Sequence, residues 1–211
     1  MPCPSIDAIV VADRPEAWND AGFTVDADGS CRIGSVRIEL VGREHGKRIL
    51  SWRLRDIPPV ESIDGLATTA SDREPGAPAA HTNGAVAIDH VVIMSPDVDR
   101  TSAALADVGV SQRRTRHVEA AQYGFEARQV FFKLADVVLE LIGPDTPTDD
   151  GPARFFGLAH TVADIDATAS ALGALLPNVK DAVQPGRRIA TLRHKDVDVS
   201  VATAFMSPDP A

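Results

Sequence analysis

The chain carries the same short segment twice. Residues 6–15 read IDAIVVADRP and residues 88–97 read IDHVVIMSPD. Each copy begins with Ile-Asp, continues into branched apolar residues typical of a buried strand, and ends in a polar break that contains proline. The copies differ in their third residue, which is Ala8 in the first and His90 in the second. A strand repeated in this way predicts a chain that is built from stacked copies of one unit.

The repeating unit is clearest in residues 88–142. There an apolar strand, a polar break and a helix of small residues precede three further strands, and Gly109 is placed to end the helix. The same β-α-β-β-β order recurs over residues 155–206, with Asp164 as the N-cap of the helix. Because one such unit cannot bury its apolar sheet face alone, the two are expected to pair. We therefore predict an α+β fold of tandem βαβββ modules that form a cupped mixed β-sheet with helices packed outside.

The first third of the chain reads as a shorter copy. IDAIVVA predicts a strand, EAWNDAGF a helix that ends at Gly22, and SCRIG with SVRIELVG a hairpin. ILSWRLRDI and PPVESIDGL then predict the strand and helix of a unit that does not complete its three strands. We expect a degenerate N-terminal module over residues 1–67, a Pro- and Gly-rich linker over 68–87 and the paired βαβββ domain over 88–206.

Composition argues against several classes of function. A net charge of −9 disfavours a general nucleic-acid binder, and no apolar run reaches the length of a membrane span. The N-terminus lacks the features of a secretory signal, and Cys3 and Cys31 have no metal-binding spacing, so we expect a cytoplasmic protein. The expected partner is a small-molecule substrate, with no nucleic acid and no membrane; a homodimer is left open.

Three residues of the paired units point to a divalent metal. His90 and His160 lie in the opening strands of the two units, and Glu140 lies in the closing strand of the first, in VVLELIG. A carboxylate in so apolar a strand needs a cation, a hydrogen-bond donor or water, because burying it alone is costly. Two imidazoles and one carboxylate form a sensible metal site, compatible with Zn, Fe, Mn, Co or Ni. The alternative is that the histidines are structural and satisfied by neighbouring backbone groups.

This pattern resembles the vicinal oxygen chelate superfamily of glyoxalase-like proteins. The group contains glyoxalase I, methylmalonyl-CoA epimerase, extradiol dioxygenases and the fosfomycin- and bleomycin-resistance proteins. The motifs HVVIMSPDVDRT, FFKLADVVLELIGP and GLAHTVADID carry the resemblance, which covers residues 85–206 well and 5–66 more loosely. It implies a cup that binds a metal and a small substrate, with His90, Glu140 and His160 as metal ligands and Glu140 as the candidate catalytic residue.

The chain also departs from that pattern in its second unit. The superfamily places a second Glu in the closing strand, but aligning ADVVLE with KDVDVS puts Ser200 there, with Asp198 two residues away on the same face. A glyoxalase I mechanism is thereby weakened, because that Glu is both ligand and base. An extradiol dioxygenase mechanism is weakened too. Those enzymes use a tyrosine for acid–base work, and the only tyrosine of this chain, Tyr123, lies in the first unit.

The N-terminal copy departs further. Ala8 replaces the histidine, Glu39 persists, and Trp52 is aligned with His160. A glutamate without its imidazoles holds a metal poorly, so this copy is predicted to be structural.

We therefore predict a metal-dependent isomerase, lyase or epimerase acting on a small oxygenated metabolite. One alternative is a metal-free protein of the same fold that sequesters a small molecule, and another is a protein that keeps the fold with neither activity. A cluster of cationic side chains is formed by Arg113, Arg114 and Arg116. It indicates either a solvated strand edge or a site for an anionic group of the substrate.

Overall fold

The computed structural model describes residues 3–119 and 126–210, so Tyr123 lies outside the described residues. Within those ranges the chain forms two mixed β-sheets, one of six strands and one of eight. No helix of the described chain is both long and apolar enough to cross a membrane.

The six-stranded sheet contains the N-terminal copy. Its elements are β1 (Ser5–Val11), α1 (Pro15–Asp20), β2 (Ser30–Ile33), β3 (Val36–Leu40), β4 (Ile49–Arg55), β5 (Ser62–Ile63) and β6 (Leu66–Ser71). The strand order is β2-β3-β1-β4-β6-β5, with β1 parallel to β3 and antiparallel to β4. Two shortened units, β1-α1-β2-β3 and β4-β5-β6, therefore stand where two complete modules would stand. This copy builds its own sheet and adds no strand to the other one.

Two elements predicted from the sequence differ from the structure in this region. The helix predicted over PPVESIDGL is wrong, because β5 and β6 form a hairpin there. Asp64 and Gly65, at φ values of 47° and 88°, make its turn, a left-handed backbone conformation that does not continue a right-handed helix. The segment predicted as a linker is strand at both ends, since β6 runs to Ser71 and the next strand begins at Ala85.

The eight-stranded sheet contains the two complete units. The first is β7 (Ala85–Met94), α2 (Val98–Asp107), β8 (Gln112–Val118), β9 (Ala127–Leu134) and β10 (Val137–Pro144). The second is β11 (Arg154–Val162), α3 (Ile165–Leu172), β12 (Lys180–Asp181), β13 (Arg188–Thr191) and β14 (Ala202–Met206). Strands follow the order β12-β13-β14-β11-β7-β10-β9-β8, with β7 antiparallel to β11 at the centre. The predicted α+β fold of paired βαβββ modules is confirmed.

Each complete unit begins its helix with an aspartate. The Asp97 carboxylate accepts a hydrogen bond from the Arg100 backbone N–H at 2.9 Å, and Asp164 accepts from the backbone N–H groups of Asp166 and Ala167. These bonds satisfy backbone donors that the first helical turn leaves open. Gly109 follows α2 at a φ of 86°, as its placement in the sequence predicts. The two N-caps therefore mark equivalent points in the two units.

The two sheets pack against each other through apolar faces. Buried side chains from both sheets belong to one continuous core, and the rings of Trp52 on β4 and Phe155 on β11 meet edge to face at 5.3 Å. Burial of this shared face is what holds the N-terminal copy on the rest of the chain. The opposite face of the eight-stranded sheet forms the cup.

Both sheets have the same irregularity at the repeated Ile-Asp motif. On β7, Ile88 pairs with His160 and His90 pairs with Ala159, so Asp89 is an extra, bulged residue. On β1, Ile6 pairs with Leu54 and Ala8 pairs with Arg53, so Asp7 is the matching bulge. The two sheets can therefore be aligned residue by residue. In that alignment Ala8 matches His90 as predicted, but the counterpart of His160 is Leu54 rather than Trp52.

Candidate functional site

The cup encloses a cavity of about 670 Å³. His90, Val138 and Glu140 line its floor, and Phe131, Ile189 and Met206 contribute apolar walls, among other lining residues. The volume is that of a site for a small molecule.

Strand register brings His90 and Glu140 together. His90 on β7 pairs with Val138 on the parallel strand β10, and Glu140 is two residues further along β10, on the same face. His90 Nε2 lies 3.6 Å from Glu140 Oε2, just beyond hydrogen-bond distance. Both side chains are largely buried, with 19% and 12% of their surfaces exposed. The sequence prediction that these two residues share a site is consistent with this geometry.

Asp89 orients the imidazole. Its Oδ1 lies 2.8 Å from His90 Nδ1, and its Oδ2 accepts hydrogen bonds from Thr161 Oγ1 at 3.0 Å and from the Arg187 guanidinium. Burial raises the pKa of Asp89, but the bonds and charges of His90 and Arg187 outweigh it and lower the pKa to about 2. An ionised Asp89 accepts the Nδ1 proton of His90, which leaves Nε2 facing Glu140 and the cavity.

Glu140 has the opposite electrostatic environment. Burial raises its pKa, and the positive charges of His90, Arg116 and Arg114 only partly offset that effect. Its Oε1 accepts a hydrogen bond from Gln129 Nε2 at 2.6 Å, which fixes the carboxylate on the floor of the cup. A raised pKa makes Glu140 a better proton acceptor than an exposed glutamate.

His160, the third predicted ligand, does not join this site. It is fully buried on the opposite face of the sheet, with its ring centroid 5.0 Å from Phe23, 5.7 Å from Phe205 and 6.5 Å from Trp18. Neither ring nitrogen has a hydrogen-bond partner among the described residues. Burial lowers the pKa of His160 to about 3, so the ring is neutral at physiological pH. The predicted ligand set is thus corrected: His160 belongs to the contact between the two sheets.

The correction has a simple geometric cause. Ala159 pairs with His90 and therefore shares the cup face, and the next residue along the strand, His160, points to the other face. The helix N-caps also show that His160 is not the counterpart of His90. His90 lies as far before Asp97 as Gly157 lies before Asp164, so Gly157 is its counterpart.

Gly157 therefore occupies the position where a second histidine would have to stand. A Cβ added there would lie 2.5 Å from the Ala202 carbonyl oxygen, so this position does not accept a side chain without a backbone shift. The closing strand of the second unit also differs from the sequence alignment that placed Ser200 at the position of the second Glu. Gly157 pairs with Ala202 as His90 pairs with Val138, which makes Ala204 the counterpart of Glu140.

Ser200 and Asp198, which the sequence alignment placed at and near the position of the superfamily's second Glu, lie outside the cup. Ser200 Oγ accepts a hydrogen bond from the Arg48 backbone N–H at 2.9 Å, and Asp198 forms ion pairs with Arg14 and Arg43. These contacts connect the segment before β14 to the N-terminal copy. Neither residue is available to the cavity.

A resident divalent metal does not fit the side chains on the floor of the cup. His90 and Glu140 supply two ligand atoms there, whereas the adjacent carboxylate of Asp89 is engaged by His90, Thr161 and Arg187. Within residues 3–119 and 126–210, no group of three or more His, Cys, Asp or Glu side chains is arranged to hold a metal ion. Protein metal centres usually draw on at least three such ligands.

The N-terminal counterpart of this site is filled by ion pairs. Glu39, the match of Glu140, contacts Arg37 at 3.3 Å and Arg53 at 2.5 Å. Asp7, the match of Asp89, is bound by Arg37 at 3.0 Å and Arg55 at 2.8 Å. The carboxylates of this copy are thus neutralised internally, in keeping with its expected structural role.

Sequence reasoning missed Asp89 and the residues that bind it. The signal was present in the repeated Ile-Asp motif, because an aspartate kept in two strands of different chemistry needs a reason in each of them. Arg187 and Thr161 could not be found in this way, since they come from other strands and loops and reach Asp89 only in the folded sheet.

Comparison with known proteins places this architecture. A family model described as the Glyoxalase/Bleomycin resistance protein/Dioxygenase superfamily matches residues 89–190, whereas no curated protein matches the chain. A triple mutant of 4-hydroxymandelate synthase from Streptomyces coelicolor is similar in structure, with a TM-score of 0.66, 15% sequence identity, and coverage of 100% of this chain and 94% of that one.

Two methylmalonyl-CoA epimerases are also similar over part of the chain. The one from Mycobacterium tuberculosis has a TM-score of 0.48 and 19% identity, and covers 60% of this chain and 91% of its own. The one from Streptomyces coelicolor, a point variant in complex with 2-nitronate-propionyl-CoA, has a TM-score of 0.44 and 24% identity, and covers 58% and 97%. The match over residues 89–190 and the fold shared over the whole length agree with the resemblance noted in the sequence: residues 89–190 match the glyoxalase, bleomycin-resistance and dioxygenase superfamily, the vicinal oxygen chelate group.

Proposed function

We propose that the chain is an isomerase- or lyase-type enzyme that moves a proton on a small carbonyl compound through Glu140 and His90, without a resident metal. The observation that carries this proposal is the array Asp89–His90–Glu140 on the floor of a cavity of about 670 Å³. Such an array supplies a proton acceptor and a proton donor at one point, which is the requirement of acid–base catalysis.

The surroundings of each residue assign its role. Glu140, whose pKa is raised by burial, takes the proton from the carbon next to the carbonyl group. His90, when protonated on both ring nitrogens, donates its Nε2 proton to the carbonyl oxygen, and the ionised Asp89 balances its charge. The product of this step is an enol. In an α-hydroxy carbonyl compound this enol is an enediol: Glu140 returns its proton to the former carbonyl carbon while His90 accepts the proton of the other hydroxyl group, which gives the isomer.

This proposal replaces the metal-dependent mechanism expected from the sequence. That mechanism required His160 beside His90 and Glu140, and His160 lies on the opposite face of the sheet. His90 and Glu140 are sufficient for proton transfer, but they provide fewer ligands than a catalytic metal centre normally uses.

The test is hydrogen–deuterium exchange into small carbonyl compounds in D₂O, followed by proton NMR. A panel of ketones, keto acids and thioesters is incubated with the wild type, with Glu140→Gln and with His90→Gln, each with and without a chelator. Glu39→Gln is the matched control, because Glu39 is the counterpart of Glu140 in the other sheet. Elemental analysis of the purified protein accompanies the exchange assay.

We expect exchange by the wild type that the chelator does not change. Loss of one member of an acid–base pair typically costs a factor of about 10² to 10⁴ in rate, and Glu39→Gln should cost none. Exchange that persists in Glu140→Gln would refute the assigned role. Stoichiometric bound metal that both Glu140→Gln and His90→Gln release, together with activity that the chelator abolishes, would restore the metal-dependent mechanism.

A second candidate function is metal-free binding of a small molecule without reaction. It is favoured by Gly157 and Ala204, because the second unit has no reactive group at either position that would complete the site. Compounds that stabilise the wild type against heat but show no deuterium exchange would support this function instead.

A further inference from the structure

The cationic strand β8 faces the same cavity as Glu140. Arg114 pairs with Phe131 on β9, and Phe131 pairs with Glu140 on β10, so the three side chains form one row across the cup face. Arg116 pairs with Gln129, whose amide donates to Glu140. The Cα atoms of Arg114 and Glu140 are therefore two strand spacings apart, about 10 Å.

The guanidinium groups of Arg114 and Arg116 are not neutralised by ion pairs within the described residues. Arg114 lies over the Phe131 ring, with Cζ 4.4 Å from the ring centroid, which restrains an otherwise mobile side chain. Neither Arg114 nor Arg116 forms an ion pair with a carboxylate of the described residues. Arg128, on the other face of β9, pairs with both Asp99 and Asp145.

Apolar side chains separate this cationic row from the acid–base pair. Phe131 lies between Arg114 and Glu140 on the floor, and Ile189 and Met206 line the opposing wall. A ligand that reaches from Glu140 to Arg114 therefore has a polar reacting end, an apolar middle and an anionic end.

We infer that the substrate is a small carbonyl compound carrying an oxyanion, either a carboxylate or a phosphate monoester, that Arg114 and Arg116 bind while its carbonyl lies over His90 and Glu140. This inference rests on the proposed function and adds the class of substrate to it. Planar guanidinium groups bind such oxyanions through paired hydrogen bonds.

The test uses matched pairs of ligands that differ in one charged group. Levulinate is compared with methyl levulinate, and dihydroxyacetone phosphate with dihydroxyacetone, by calorimetry on the wild type and on the double variant Arg114→Gln with Arg116→Gln. Arg193→Gln is the control, because Arg193 is exposed, pairs with Asp196 and lies outside the cavity lining. Deuterium exchange is measured on the same samples.

We expect the anionic member of at least one pair to bind the wild type about tenfold or more tightly than its neutral match. The double variant should lose that preference, Arg193→Gln should keep it, and added salt should weaken it. Preference for the carboxylate pair or for the phosphate pair identifies the oxyanion.

Three results would overturn the inference. They are equal binding of charged and neutral members, no binding of either anion at millimolar concentration, and an anion preference that the double variant retains. Exchange of both members without a charge preference would refute the inference and leave the proposed function standing. Anion binding through these arginines without any exchange would refute the proposed function and would leave only the anion-binding part of the inference standing.

Discussion

Replacing His160 with leucine should stabilise the protein and flatten the pH dependence of its stability. His160 is completely buried against Trp18, Phe23 and Phe205, and no described residue hydrogen-bonds to its ring nitrogens. Leucine is the natural choice because Leu54 occupies the equivalent position in the six-stranded sheet. A buried polar atom without a partner costs about 1–3 kcal/mol, part of which the His160→Leu variant should recover at neutral pH.

The pH effect follows from the difference in pKa between the two states. The pKa of His160 is about 3 in the folded chain and has its ordinary value of 6.5 in the unfolded chain. Below pH 6.5 the unfolded state therefore binds a proton that the folded state refuses, and stability falls as the pH falls until it approaches the folded value. Between about pH 7 and pH 5 the loss amounts to about 2 kcal/mol.

The assay is urea denaturation at a series of pH values, for the wild type, for His160→Leu and for His45→Gln. His45 is an exposed histidine and serves as the control. The gap in unfolding free energy between His160→Leu and the wild type should widen by about 2 kcal/mol from pH 7 to pH 5. Parallel curves would refute the reasoning, because they would mean that His160 is protonated equally in both states.

Three further outcomes follow from packing and burial. Gly157→Ala should destabilise the chain by about 1–3 kcal/mol in urea denaturation, because the added methyl group would clash with the Ala202 carbonyl oxygen. Gly76→Ala is the control and should cost little, because its methyl group would lie 4.0 Å from the nearest atom, Cδ of Arg32. Equal effects of the two substitutions would contradict this reasoning. In the native protein a disulfide reagent should label Cys3 and spare Cys31, whose burial raises its pKa to about 12, with both reacting only after unfolding; rapid labelling of two thiols would count against the fold. Asp7→Asn should cost about 3–5 kcal/mol in a chemical melt because it leaves two buried arginines underpaired, and a loss below about 1 kcal/mol would show that the cluster is dispensable.

The fold could be predicted from the sequence because its signals are local. The alternation of VVLELIG, the aspartate N-cap of the helix in each complete unit and the repeated Ile-Asp motif each report on a few neighbouring residues, and together they define the unit. The pairing of His90 with Glu140 could be predicted too, since both lie in one unit whose first and last strands are adjacent. His160 could not be placed by strand membership alone, because a shift of one residue moves a side chain to the other face. An alignment of the two units on their N-caps, Asp97 and Asp164, would have matched His90 with Gly157 and placed His160 on the other face.

The matching bulges at Asp7 and Asp89 give the aspartate and the residue that follows it different roles. In each sheet the aspartate secures the local architecture through arginine or hydroxyl partners, and the side chain that follows it, Ala8 or His90, is free to vary without disturbing that framework. A chain built on this plan can lose reactivity in one copy when the residue after the aspartate is exchanged, whereas gaining it in the N-terminal copy would also require removal of the ion pairs that Glu39 forms with Arg37 and Arg53. The parallel strands β1 and β3 are, in this sense, a second scaffold on which a protein engineer could install a different chemistry.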